Sequence, residues 1–416
     1  MAHVVVCGAG VIGLCCAFHL RARGHEVTLL ERSSGPQGGC SFGNAGLIVP
    51  SHFIPLAAPG MVALGMKWML NRRSPFYVRP RLDMDLIRWA LRFAGAANAA
   101  HVARSAPMLR DLHLASRTIY EGLGDRAGND FGLVKRGLLV LCETRETLHE
   151  ESQAAAQAQT LGIPAEVVSS VRAAELNPGL RMNIAGGVHY PLDCHMDPAR
   201  FMRRLLELVT AAGVTFHWSA EITGWCASND RIAAVRVAQQ EIAADDFVLA
   251  CGAWSQGLAR MLGLRLPIQA GKGYSLTLTA PPRIPELCSI LSEARVAVTP
   301  IGSSLRFGGT MELSGLDGSI RTERVQTIAQ AATRYFPELR LEEFLNVKPW
   351  VGLRPCSPDG LPYIGRFARY PNLCAATGHA MMGMSLGPVT GRLVAEIVSG
   401  EVPSLDIGAL SPNRYA

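Results

Sequence analysis

Three glycines near the start carry the clearest chemistry. Gly8-Ala9-Gly10-Val11-Ile12-Gly13 has the spacing in which the first glycine permits a tight turn, the second lets backbone approach a pyrophosphate, and the third lets a helix pack on a strand. Phosphate then sits at a helix N-terminus, where unpaired N–H groups favour an anion. Glu31 follows about 20 residues later, where a carboxylate accepts ribose hydroxyls and repels a 2′-phosphate, so NADP is disfavoured. The same fingerprint serves NAD and FAD, and these residues alone leave that choice open. Ser41-Phe42-Gly43-Asn44-Ala45-Gly46 adds small residues and amide donors suited to passing close to a bound ring, and reads equally as an ordinary turn. Near the other end, Gly383-Met384-Ser385-Leu386 is followed by an apolar helix to about Ser399, whose start offers free backbone N–H groups.

Positioning these groups requires specific elements. Val4–Cys7 reads as a buried parallel strand, the glycine turn opens a helix to about Arg23, Gly24 stops it, and His25–Leu30 is a second strand ending at Glu31. From Pro50 to Pro80 the composition shifts to Pro, Gly, Met and Trp, and Pro55–Met66 reads as a loop and short helix near a site mouth. Helical patterns run over 84–122 and 145–161, with Gly137–Cys142 a strand between them. Asp197-Pro198 provides an N-cap and an N1 proline for a helix over 199–212, and Gly213 stops it before a strand over 214–218. Ile232–Val237 reads as one strand of a hairpin, and Phe247–Ala250 as a buried strand turning at Cys251–Trp254. Strands at 273–279, 296–299 and 305–311 predict an antiparallel sheet within about 267–312.

Composition excludes several classes. The 416 residues, 49% hydrophobic and 18% charged, predict two or three domains with buried cores rather than a disordered chain. The net charge of +6 is scattered apart from Arg72–Arg73 and Arg203–Arg204, which points away from nucleic acid. The 11 cysteines form no CxxC pair and no metal-ligand spacing, which predicts no metal, reduced thiols and a cytoplasmic location. No basic segment precedes Val4–Leu20, so the glycine-broken apolar start is not read as a secretory leader, and no segment has the roughly 20 apolar residues of a spanning helix.

Further motifs complete a pattern. Ala57-Ala58-Pro59-Gly60, Lys272-Gly273-Tyr274-Ser275-Leu276, Trp350-Val351-Gly352-Leu353-Arg354-Pro355, Ser357–Gly365 and Thr377-Gly378-His379 follow the nucleotide fingerprint and the Asn44-Ala45-Gly46 loop in order. With these the sequence resembles the D-amino-acid oxidase and dehydrogenase superfamily of FAD enzymes. The resemblance is strongest to the bacterial D-amino-acid dehydrogenases of the small-subunit type, D-hydroxyproline dehydrogenases included, and covers nearly the whole chain.

The resemblance implies an α/β fold with a discontinuous Rossmann-like FAD-binding domain, 1–75, 192–266 and 350–416. It implies an α+β substrate domain containing an antiparallel sheet, 76–191 and 267–349. Non-covalent FAD would lie between them, held by Gly8, Gly10, Val11, Ile12, Gly13 and Glu31, by Asn44, Ala45 and Gly46, by Ile222 and Gly252, and by Gly383, Met384, Ser385 and Leu386. Cys356, the one cysteine near the segment where some relatives attach FAD, stands away from the attachment position. Arg354 is similar to the arginine that takes the substrate carboxylate, Tyr274 to a pocket-lining tyrosine, His52 to a residue over the substrate, and His379 to one beside the ring. The implied reaction moves hydride from Cα of a D-amino or imino acid to the flavin, with electrons passing to a quinone or other respiratory acceptor and a rate that rises with pH. His379-Ala380-Met381-Met382 departs from the glycine-rich version of many D-alanine-type enzymes, which brings D-proline and cis-4-hydroxy-D-proline forward. The alternatives are a glycine or sarcosine-type oxidase using oxygen, an NAD-dependent dehydrogenase, and a flavin-binding subunit of a larger complex. Peripheral contact with the inner face of the cell membrane and additional subunits are left open.

Overall fold

His3–Cys7 is short, β-branched and buried, and it becomes the middle of a six-stranded sheet. It pairs in parallel with Glu26–Leu30 on one side and Asp246–Leu249 on the other. Thr215–His217 extends the sheet beyond the former, and Leu373–Thr377 and then Tyr363–Arg366 beyond the latter, only the last pair being antiparallel. Strands buried on both faces read as continuous apolar runs, and VVVC and VTLL do. The computed structural model describes every residue except Gly38, Leu70, Arg72, Arg73 and Ala127; the Arg72–Arg73 basic run therefore lies outside the described residues.

Helices Val11–Ala22 and Gly383–Val398 pack closely on one face of this sheet, and Pro198–Ala211 lies against the first of them. Asp197 caps the last as its sequence predicts, its carboxylate accepting the Ala199 and Arg200 N–H groups at 2.9 and 3.1 Å. The expected hairpin at 232–237 gains a third strand, so that Ile222–Ser228, Arg231–Val237 and Gln240–Ala243 form a small antiparallel sheet.

The second large layer exceeds its sequence forecast. Gln269–Leu278, Cys288–Leu291, Val296–Ile301 and Ser304–Leu313 are joined by Leu138–Cys142, Gly186–Tyr190, Glu166–Ser169, Phe76–Val78 and Trp350–Cys356 in a nine-stranded sheet. It is mixed rather than purely antiparallel, because Leu138–Cys142 runs parallel to Cys288–Leu291 and Phe76–Val78 parallel to Ser304–Leu313. Trp350–Cys356 pairs with Gln269–Ser275 over seven residues, so the boundary expected at 349/350 moves past Cys356: hydrogen bonding assigns this strand to the second layer. The helical pattern over 84–122 also divides, into Met84–Ala96 and Ala99–Arg126. Asn98 breaks it by turning its side-chain oxygen onto the His101 N–H at 2.9 Å, a cap that competes with helix continuation.

Among the described residues no helix is long and apolar enough to cross a membrane.

Candidate active site

The carboxyl ends of the parallel strands open into a cavity of about 1060 Å³ that runs between the two large sheets. Ligand sites typically hold about 300–1,000 Å³, so this one has the size for an extended dinucleotide and a small substrate together. In open α/β sheets this is where ligands bind.

The glycine turn forms one end. Gly8 adopts φ +105°, and a side chain on Gly13 would run into the Gly8 carbonyl, so the turn and the helix behind it have room only for hydrogens. Gly10 borders the cavity with no side-chain cap on the helix it starts, which leaves N–H groups for a phosphate. The Glu31 carboxylate accepts the Ala9 and Ser33 N–H groups at 2.9 and 3.0 Å and faces the cavity with lone pairs to spare for hydroxyl donors. Ile222 and Gly252 border the same end.

The loop from Ser41 is pinned on several sides. Ser41 Oγ accepts the Val11 N–H at 3.0 Å, Asn44 Oδ1 accepts the Gly46 N–H at 2.8 Å, and Arg306 donates to the Asn44 carbonyl at 2.7 Å. Asn44 and Ala45 line the cavity. Gly13, Gly46 and Leu386, expected at the cofactor, do not border it: Gly13 lies under the turn, Gly46 closes the Asn44 turn at φ +76°, and Leu386 is wholly buried in the core.

At the far end the helix Gly383–Val398 points its first turn at the cavity, with Gly383, Met384 and Ser385 on the wall. Gly383–Leu386 is that first turn itself and does not precede it. Pro388 lies inside the helix and has no N–H to give the carbonyl four residues back, that of Met384. Tyr120 Oη, from the Ala99–Arg126 helix, donates to this carbonyl at 2.5 Å. Two turns earlier on the same helix, His113 Nδ1 lies 2.8 Å from Ser385 Oγ, which also accepts the Val49 N–H at 3.0 Å. Burial holds His113 neutral, its pKa pushed down to about 3. His379 is held in the same way: Nε2 lies 2.9 Å from Thr390 Oγ1, and burial lowers its pKa to about 3. It borders the cavity as a neutral link between the preceding loop and the helix.

The side facing away from the parallel sheet is built of side chains. Arg354 projects from its strand across Gly273, where any side chain would overlap the guanidinium. Its Nη1 donates to the Thr310 carbonyl at 2.7 Å. Thr310 is the bulged residue of its strand and holds φ +61°, a left-handed conformation that is costly for a β-branched residue. Arg354 has no ion-pair partner among the described residues, and burial draws its pKa below the ordinary arginine value. A desolvated cation without an anion is expensive, and a bound carboxylate is the group that relieves it.

Tyr274 is among the residues that border the cavity, while its ring is buried in the apolar core against the Thr322–Tyr335 helix. Its hydroxyl lies 3.2 Å from Glu312 Oε2, and burial with that carboxylate beside it raises its pKa. His52 does border the cavity, and burial and the nearby Arg295 lower its pKa to about 4. Cys356 is buried off the cavity wall, its thiol pKa pushed up to about 12.

Sequence reasoning missed Tyr120, His113, Thr310, Ser51 and Asp193. Only Tyr120 had a signal: a proline five residues into a helix announces an orphan carbonyl and therefore a donor somewhere.

Residues 3–397 match the protein-family model described as FAD dependent oxidoreductase. The chain is 34% identical over 420 residues to the D-amino acid dehydrogenase of Granulibacter bethesdensis, covering 100% of both chains. It is 34% identical over 419 residues to that of Rhizorhabdus wittichii, covering 99% of this chain and 100% of the relative. Among solved structures, glycine oxidase from Geobacillus kaustophilus superposes with a TM-score of 0.80 at 24% identity, covering 100% of both chains. Iminodiacetate oxidase from Chelativorans sp. BNC1 gives 0.73 at 22%, covering 98% of each. These two likenesses are of fold.

Proposed function

The chain belongs to the family of FAD-dependent oxidoreductases, and from that premise we propose that it dehydrogenates D-amino or imino acids at the Cα–N bond. The observation that carries this is Arg354, a partly buried guanidinium at the cavity with no anionic partner among the described residues, which suits the carboxylate of an amino acid. FAD held by the glycine turn, Glu31 and the Asn44–Ala45 loop would supply a two-electron acceptor for the hydride of substrate Cα.

The chain's own residues bind, orient and stabilise. Arg354 presents a planar fork to the carboxylate, each charged hydrogen bond adding roughly 1.5–3 kcal/mol, and the Thr310 carbonyl and Gly273 fix its direction. The glycine turn and Glu31 hold the dinucleotide end. The helix start at Gly383–Ser385 borders the cavity and would offer N–H donors and partial positive charge to a ring gaining electron density. Tyr120 and His113 keep that helix start in place.

We propose the division of labour 1–75, 192–266 and 357–416 for FAD, and 76–191 and 267–356 for substrate; the pairing of Trp350–Cys356 with Gln269–Ser275 supports the last boundary. The favoured substrates are D-proline and cis-4-hydroxy-D-proline. The favoured electron acceptor is a quinone, supported by the apolar rim of the cavity: the Met61–Met69 helix has no buried residue, and Met66 and Ile87 are 58% and 43% exposed there.

The test is anaerobic bleaching of the flavin by paired D- and L-amino acids, with glycine and sarcosine included. Bleaching confined to D-isomers, followed by faster recovery with a soluble quinone than with oxygen, is the expected result. Bleaching by glycine or sarcosine with rapid recovery in air identifies an oxidase instead, and a yellow protein that none of them bleaches identifies a flavin-holding subunit.

A further inference from the structure

Asp193 is completely buried, forms no ion pair among the described residues, and has one side-chain neighbour that leads anywhere. Ser51 holds both of its oxygens: the Ser51 N–H donates to Oδ1 at 3.0 Å and the hydroxyl to Oδ2 at 2.5 Å. The same hydroxyl oxygen lies 3.3 Å from Nδ1 of His52, which borders the cavity shared with Arg354. A buried carboxylate is thus linked through one serine to an imidazole at the substrate wall. Resting on the amine oxidation proposed above, we propose that Asp193 and Ser51 are positioning residues that fix the tautomer of His52 and carry away the proton the substrate nitrogen must lose before hydride transfer.

The tautomer follows from counting hydrogens. Ser51 has one hydroxyl proton and gives it to Asp193, so its oxygen is an acceptor toward His52; Nδ1 must carry the ring proton, and Nε2 is left as an acceptor. When a substrate ammonium meets Nε2, its N–H bond breaks and an Nε2–H bond forms. The Nδ1 proton moves to Ser51 Oγ, and the Ser51 proton moves to Asp193 Oδ2. A cation and an anion become two neutral groups, and the nitrogen lone pair is freed to form C=N as the hydride leaves.

The surroundings agree with transfer through His52 and storage on Asp193. Arg295 and His113 face His52; burial and then the charge of Arg295 hold it neutral, its pKa lowered to about 4. Arg117, Tyr190, Cys194 and Cys288 surround Asp193; burial outweighs its hydrogen bonds from Ser51 and the field of Arg117, and its pKa rises to about 7. The nearer cation, Arg117, is itself paired with Glu121 at 2.9 Å.

The experiment is stopped-flow flavin bleaching by a D-amino acid in the holoenzyme and in Asp193→Asn, Ser51→Ala, Ser51→Thr and His52→Gln, across about pH 5.5 to 9.5. FAD content and thermal unfolding are read for each. In the wild type the limiting rate rises through an ionisation near neutrality. Asp193→Asn, Ser51→Ala and His52→Gln slow it on the order of 100-fold at neutral pH and abolish that ionisation. The deficit shrinks as the pH approaches the ionisation of the substrate amine itself, substrate affinity changes far less than the rate, and Ser51→Thr recovers the wild-type profile. FAD-replete variants that keep the wild-type rate and profile overturn the relay while leaving the reaction standing. If Asp193→Asn loses FAD, the Ser51 pair decides alone. A FAD-replete wild type that no D-amino acid bleaches overturns the reaction, and the relay with it.

Discussion

The cavity has two walls made of different material. The wall at the carboxyl ends of the parallel strands is backbone: glycine turns, bare helix starts, and a carboxylate already engaged with two N–H groups. The facing wall, contributed by the nine-stranded sheet and the 47–53 segment, is side chains held by other side chains: Arg354 on Thr310, and His52 on Ser51 and Asp193. Backbone donors cannot titrate or swing, which suits a cofactor that stays. Side chains carry charge and protons, which suits a substrate that comes and goes.

Breaking the side-chain wall at its cation should have the largest effect. Arg354→Ala removes two charged hydrogen bonds of roughly 1.5–3 kcal/mol each, so kcat/KM for a D-amino acid falls on the order of 1,000-fold while FAD stays bound, as steady-state kinetics and the flavin spectrum will register. Breaking the backbone wall does the reverse. Gly13→Ala forces a methyl against the Gly8 carbonyl at an overpacking cost of about 1–3 kcal/mol. FAD affinity then drops on the order of 10- to 100-fold, measurable by flavin titration of the apoprotein, and substrate recognition in the loaded fraction is retained.

Tyr120→Phe deletes the donor to the Met384 carbonyl and leaves a buried acceptor unmet, at about 1–3 kcal/mol. Its expected signature is a lower thermal midpoint, with FAD loss preceding unfolding. Tyr274→Phe sharpens the comparison from the other side. Its hydroxyl points into the core at Glu312, so kcat/KM should stay within about threefold while stability falls by about 1 kcal/mol in denaturant titration; a large loss of kcat/KM would give this hydroxyl a place at the substrate.

A further effect is one of slope. The folded-state pKa of Asp193 is raised to about 7 from 3.8. Between those values the folded protein holds a proton that the unfolded chain has released. The contribution of Asp193 to stability is therefore full below the unfolded pKa and lost as pH rises through the folded one. Thermal midpoints of the wild type should carry this decline over that window, and those of Asp193→Asn should lack it.

The backbone wall was legible in the sequence because its requirements are local. A strand, three glycines and an acidic residue at fixed spacing admit few structures, and VVVC and the Asp197-Pro198 cap were readable for the same reason. The side-chain wall depends on partners far apart in the chain: Ser51 and Asp193 are separated by 142 residues, and Tyr120 and Met384 by 264. Tyr274 was legible as a residue bordering the cavity, but strand alternation could not tell that its hydroxyl meets Glu312, 38 residues away. The break at Asn98 was missed because apolar periodicity continues through it on both sides, whereas the cap depends on one side-chain oxygen.

Pro388 also bears on the order in which the molecule assembles. A helix with a proline in its second turn cannot complete its own start, and the missing donor arrives only when the 99–126 helix docks. The first turn of the C-terminal helix therefore depends on a contact 264 residues away in the chain. In refolding followed by circular dichroism and flavin absorbance, recovery of yellow colour is expected to trail recovery of secondary structure.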